Sequence, residues 1–225
     1  MFNGPTRLHY EISGAGAPLL LITGLGSDLR DLKQLITMLG RDFLVIAMDN
    51  RGAGLSDKPD EPYSMEVMAT DAYAVLKDAG VESAAVLGYS MGGRIALELT
   101  LQHPERVSHL ILLGSGAHVI PNWARKVFFT IAPHIPIGPT PRQPIYAFKR
   151  QKRATQAYDG RDYLGRIAIP TLILHGRGDR IAPPVLAEEL HAGIAGSRLE
   201  WYAGGHIAPV LKPRIVVDAV RRFLL

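Results

Sequence analysis

Short, continuous apolar runs alternate along the chain with stretches whose apolar residues recur at helical spacing. The runs Leu19-Leu20-Leu21-Ile22, Phe43 to Met48, Ala84-Ala85-Val86-Leu87, His109 to Leu113 and Thr171-Leu172-Ile173-Leu174 carry no period-two polar face. Strands of this kind are buried on both sides, the condition of a mostly parallel central sheet with helices on both faces. Arg7 to Ser13 alternates enough for an edge strand, and Arg198 to Tyr202 reads as a last short strand. Helices are expected over Leu29–Leu39, Gly92–Gln102, Pro184–Ala192 and Ile215–Leu225. In the second of these, Ile95, Ala96, Leu99 and Leu101 are the expected buried positions. A further helix begins after the N-cap Ser64, sets Met68, Ala72, Val75, Leu76 and Ala79 on one face, and ends before Gly80.

One stretch breaks the rhythm. Residues 116–165 contain no clear strand but carry Pro121, Pro133, Pro136, Pro139, Pro141 and Pro144. A structureless loop of that length is unfavourable inside a compact domain, so the stretch is read as a short helical lid with helices over Trp123–Ala132 and Ala147–Tyr158. The domain reading is therefore an α/β core of residues 1–115 and 166–225, interrupted by a lid at 116–165.

Composition narrows the chemistry. The 225 residues suit one α/β domain with a modest insertion. A net charge of +4 is too small to argue for nucleic acid, and none is expected as a partner. With no cysteine, thiolate zinc sites and cysteine nucleophiles are excluded. Met1 to Tyr10 has no apolar signal-peptide core, and no apolar run reaches the roughly 18 residues of a membrane span, so a cytoplasmic location is expected. None of the eight histidines forms a metal-ligand pair motif, and no metal is expected. Gly24-Leu25-Gly26 starts like a dinucleotide fingerprint, with Asp49 near the ribose-binding position, but Leu29 occupies the third glycine position. No organic cofactor is expected either.

The chemistry concentrates at Gly88-Tyr89-Ser90-Met91-Gly92. This G-x-S-x-G follows a strand and opens a helix, the context of a nucleophile elbow. A serine nucleophile needs a base and a group to orient that base. On such a fold the order is serine, acid, histidine. Asp179 follows the strand Thr171–Leu174, and His206 follows the strand ending at Tyr202. The alternative acid position, after Leu113, offers Gly114 and Ser115 and no carboxylate. Backbone N–H groups of Leu25 and Met91 are the expected oxyanion donors. Tyr89, Trp123 and Phe128 are candidates for the substrate pocket, with Phe129 and Ile131 beside them. The basic run Lys149-Arg150-Gln151-Lys152-Arg153 reads as a solvated helix face.

With these residues in view, nearly the whole chain resembles the α/β-hydrolase superfamily. Thr23-Gly24-Leu25-Gly26 is similar to its His-Gly-x-Gly oxyanion loop, with threonine where many members have histidine. Asp49 to Ser56 resembles the segment after the next strand, His103-Pro104-Glu105-Arg106-Val107 the end of the nucleophile helix, and Pro170 to Gly176 the acid strand. The resemblance implies a serine hydrolase acting on small carboxylic esters or lactones through an acyl-enzyme. It also admits carbon–carbon bond hydrolysis, pyruvate elimination as in menaquinone-pathway synthases, and perhydrolysis with the same triad. A reading of another class is a ligand sensor on the same fold.

Overall fold

The computed structural model describes residues 1–4, 6–131 and 143–225, with the side chains of Phe2, Arg125, Phe128 and Phe129 outside that description. A two-stranded hairpin, β1 (Phe2–Asn3) and β2 (Thr6–Arg7), precedes the main sheet. The sheet strands are β3 (Tyr10–Ser13), β4 (Ala17–Ile22), β5 (Phe43–Met48), β6 (Ala84–Tyr89), β7 (Val107–Leu113), β8 (Thr171–Gly176) and β9 (Arg198–Tyr202). Among the described residues these form one seven-stranded sheet in the order β3-β5-β4-β6-β7-β8-β9. β3 runs antiparallel to β5, and every other pairing is parallel.

The helices are α1 (Lys33–Leu39), α2 (Met65–Asp78), α3 (Met91–Gln102), α4 (Trp123–Ile131), α5 (Ile145–Ala157), α6 (Val185–Gly193), α7 (Ala208–Leu211) and α8 (Arg214–Leu224). The continuous apolar strands serve two cores at once. Leu20 and Ile22 of β4 face one core with Met68, Leu76 and Ile95, while Leu19 and Leu21 face the other with Leu35, Leu39, Val217 and Val220. Alternate side chains thus go to opposite helix layers, so neither face of the strand is polar.

The structure adjusts several element bounds. The expected edge strand from Arg7 splits into β2 and β3 because His9 leaves the ladder. Its N–H donates to Ser56 Oγ (2.9 Å) and its ring meets Asp49 (3.1 Å). The helix expected from Leu29 starts at Lys33. Residues 28–32 close i→i+3 turns instead, with Asp31 N–H donating to the Asp28 carbonyl (3.1 Å) and Leu32 N–H to the Leu29 carbonyl (3.2 Å), while Asp49 and Asp28 accept from the Leu29 and Arg30 amides. Leu101 is only half-buried and Leu97 is buried instead, because α3 packs on α2 as well as on β6 and β7. Ser64 caps α2, accepting from Val67 N–H at 3.2 Å. The short helix α7 and the hairpin β1–β2 carry no apolar period and were not expected. Pro133, Pro136, Pro139, Pro141 and the end of the expected helix at Ala132 lie outside the described residues.

Strand order places the site. From β4 the chain crosses to β5 on one side, whereas β6 lies on the other, so β4 and β6 flank a point where the winding direction reverses. Loops at the carboxyl ends of such strands diverge and leave a crevice. The loop Thr23–Gly26 and the turn at Ser90 both open there.

Candidate active site

Ser90 sits between β6 and α3 at φ 56°, ψ −113°, and among the described residues it alone has positive φ without being glycine. Such a conformation costs roughly 1–3 kcal/mol and needs support from its surroundings. Ser90 N–H donates to the Leu113 carbonyl (2.9 Å), and the Ser90 carbonyl accepts from Gly93 N–H (3.1 Å) and Ser115 Oγ–H (2.7 Å). The flanking glycines allow the tight approach. A Cβ at Gly92 would collide with the Ile22 carbonyl oxygen, and one at Gly88 with the Gly92 carbonyl oxygen. The hydroxyl thereby projects away from the sheet at the start of α3.

The three side chains expected to act together are adjacent. His206 Nε2 stands 2.9 Å from Ser90 Oγ, and His206 Nδ1 stands 2.7 Å from Asp179 Oδ2. All are buried, with 9% of Ser90 and 8% of His206 remaining open to solvent. Asp179 Oδ1 accepts from Ile181 N–H and Ala182 N–H, both at 2.8 Å. A carboxylate only accepts, so the 2.7 Å contact with Asp179 Oδ2 is a hydrogen bond when His206 Nδ1 carries the proton, the tautomer that leaves Nε2 to accept from Ser90.

Two further residues brace this arrangement. Tyr89 Oη–H donates to the His206 carbonyl (2.8 Å), and its ring stacks on the imidazole with centroids 5.5 Å apart. Burial pushes the phenol far above its ordinary range, so it stays a donor. Tyr89, a pocket candidate by sequence, thus packs against His206 and bonds its backbone. His175, fully buried at the end of β8, donates from Nε2 to the Ala182 carbonyl (2.8 Å). It thereby ties down the turn whose Ala182 amide holds Asp179.

Burial pushes the His175 imidazole below its ordinary value. The Ala182 carbonyl and Asp179 oppose that shift, and His206 adds to it. The unfolded chain titrates His175 near about 6.5. Below that pH the unfolded state takes up a proton that the folded state refuses, so stability is full above it and falls with pH toward the folded value. His175→Gln keeps a donor and removes the titration. Melting curves from pH 8 to 5 should show a lower Tm at neutral pH and a shallower acid loss than wild type. Parallel profiles would contradict this.

The loop Thr23–Gly26 lies directly on Ser90: a Cβ at Gly24 would stand 3.3 Å from Ser90 Cβ. Among the described residues, neither Leu25 N–H nor Met91 N–H has a protein acceptor. Asn50 Nδ2 donates to the Thr23 carbonyl (2.9 Å) and to Thr23 Oγ1 (3.1 Å), so asparagine and threonine together anchor the start of this loop. Asp49, near the ribose-binding position by spacing, is buried and accepts from the Leu29 and Leu55 amides. Its carboxylate closes loops of the protein itself.

The other candidates separate. Trp123 is 71% exposed. Ile131 is also exposed, at 52%. The side chains of Phe128 and Phe129 lie outside the described residues. The basic run is not uniformly solvated, since Gln151 at its centre is fully buried and Arg150 pairs with Asp60. Sequence reasoning assigned no role to Asn50, His175 or Gln151. Among the described residues no group of His, Asp or Glu is arranged to hold a metal ion, and no helix is long and apolar enough to cross a membrane.

A parallel sheet with a strained serine at its central turn defines a class, and comparison with known proteins agrees. The family model for the alpha/beta hydrolase fold matches residues 17–153, and the chain belongs to that family of hydrolases. RutD of Azorhizobium caulinodans, whose name proposes carbamate hydrolysis, is 30% identical over 98% of this chain and 96% of its own length. The 2-hydroxymuconate semialdehyde hydrolase of a Pseudomonas strain is 39% identical over 51% of this chain and 42% of its own. Among solved structures, an enol-lactonase from Burkholderia xenovorans superposes with a TM-score of 0.85 at 25% identity, covering 98% of this chain and 97% of that one.

Proposed function

We propose that the protein is a serine hydrolase that cleaves small carboxylic esters or lactones through an acyl-enzyme. The observation that carries this reading is the continuous hydrogen-bonded relay from Ser90 Oγ through His206 to Asp179, at 2.9 and 2.7 Å. Ser90 Oγ attacks the carbonyl carbon while His206 Nε2 takes its proton. The oxyanion is held by the Leu25 and Met91 amides, each worth about 10²–10³ in rate on the precedent of other hydrolases. His206 then protonates the departing alkoxide, leaving an acyl group on Ser90. Water, deprotonated by the same imidazole, releases the acid. Asp179 keeps His206 in the tautomer that accepts from serine and stabilises the imidazolium. Residues 116–165 act as the lid that shapes the substrate pocket.

The similarity to an enol-lactonase over almost the whole chain supports a cyclic or open ester as substrate. Carbon–carbon bond hydrolysis by the same residues is the second reading. It draws on the 39% identity with a protein named for hydrolysing a muconate semialdehyde. A panel of short and medium p-nitrophenyl esters and simple lactones separates the two. Turnover with a burst of p-nitrophenol, one per enzyme, is expected. Absence of turnover across the whole panel would remove the ester reading.

A further inference from the structure

Helix α5 meets the oxyanion loop through two buried side chains, Phe148 and Gln151, of which Gln151 makes the hydrogen bond. Gln151 is fully buried, although it stands inside the basic run of an otherwise partly exposed helix. Its Oε1 accepts from Gly26 N–H at 3.3 Å, and its Nε2 donates to the Arg51 carbonyl at 2.8 Å. One partner is a donor and the other an acceptor, so only one orientation of the amide satisfies both. Gly26 follows Leu25, and Arg51 follows Asn50, the residue that anchors Thr23 at the other end of the same loop. The loop is therefore held at both ends, by Asn50 at Thr23 and by Gln151 at Gly26, with Leu25 between them.

Packing around this contact is close. A Cβ at Gly26 would lie 3.0 Å from the Phe148 ring, one helical turn before Gln151. α5 is tied to the loop after β5 at two further points, Tyr146 Oη–H to the Lys58 carbonyl (2.7 Å) and Arg150 to Asp60. Those bonds are exposed and position the helix, whereas the Gln151 bond to Arg51 is buried and its bond to Gly26 partly buried. An oxyanion donor must be preorganised, because its advantage is lost if it reorients as charge develops.

We infer that Gln151 is a positioning residue for the oxyanion hole: it fixes Gly26, and through Gly26 the direction of the Leu25 amide. This rests on the serine-hydrolase reading above. The lid helix and the catalytic loop are thereby one mechanical unit, and the lid contributes to the rate as well as to substrate selection.

Gln151→Met keeps the volume and removes both hydrogen bonds. Thr155→Val is the control, because Thr155 is buried on the same helix and its Oγ1–H donates to the Gln151 carbonyl within α5 (2.8 Å). Active sites are counted by labelling with a fluorophosphonate, so that misfolded molecules do not enter kcat. Per labelled site, Gln151→Met should lose about 10–100-fold in kcat, the range expected for a misplaced rather than a deleted donor, with KM changed less than about threefold. Inhibition by an alkyl boronic acid, which forms a tetrahedral anionic adduct on serine, should weaken by a similar factor. Thr155→Val should leave both quantities near wild type. A Gln151→Met enzyme with wild-type kcat per site, or a loss matched by Thr155→Val, would overturn the inference while leaving the nucleophile in place. Failure of the wild type to label at Ser90 would overturn the inference together with the reading beneath it.

Discussion

Ser90→Ala is expected to abolish ester turnover, lowering kcat by about 10⁴-fold or more, while leaving the fold intact. Removing the nucleophile of a comparable triad costs about 10⁶ in kcat, and what survives comes from the oxyanion donors and substrate binding alone. The fold should tolerate the change. Ser90 Oγ bonds His206, whereas the backbone at this position is held by Leu113, Gly93 and Ser115 through main-chain atoms of Ser90. Alanine leaves those bonds in place and carries the same backbone strain at φ 56°. A Tm within about 2 °C of wild type, with turnover lost, is the expected pair of results. Activity reduced less than tenfold would mean that another group attacks the substrate.

Asp179→Asn should cost nearly as much, for a reason specific to this loop. The Ile181 and Ala182 amides both donate to Oδ1, so an asparagine here is obliged to place its carbonyl oxygen toward them. Its NH₂ then faces His206 Nδ1, now 2.7 Å from the carboxylate oxygen it replaces. Two donors cannot face each other, so the imidazole shifts its proton to Nε2 and presents N–H to Ser90. A base in that tautomer cannot accept the serine proton, and the loss of kcat in an equivalent substitution elsewhere is about 10⁴. KM should change little, because neither the Leu25 nor the Met91 amide moves. Steady-state kinetics from pH 6 to 9 check this. A deficit smaller than tenfold across that range would show that Asp179 does not set the tautomer.

Much of this arrangement is legible in the sequence because it depends on local rules. A strand that feeds two cores must be apolar at every position, as Leu19 to Ile22 are, and the α/β architecture follows from five such runs. The turn at Ser90 needs small neighbours, and Gly88 and Gly92 advertise it. Asp179 and His206 are found by chain order after their strands, and the structure sets them beside Ser90. What escapes the sequence is set by contacts between distant segments. Gln151 meets Gly26 across 125 positions and Asn50 meets Thr23 across 27, and neither side chain carries a local signature. The basic residues around Gln151 make its helix face look solvated. Tyr89 reads as pocket lining because its position in the elbow motif is variable, yet its hydroxyl reaches the His206 carbonyl 117 positions away. The start of α1 at Lys33 escapes the sequence because apolar spacing does not distinguish the i→i+3 turns over residues 28–32 from a helix.

The most direct test of the central claim is the covalent one. Wild-type protein treated with a fluorophosphonate, followed by intact-mass and peptide mass spectrometry, should gain one phosphonyl group on the peptide containing Ser90. Ser90→Ala should gain none under the same conditions. An adduct on a different residue, or equal labelling of the two proteins, would contradict a Ser90 nucleophile and with it the proposed chemistry.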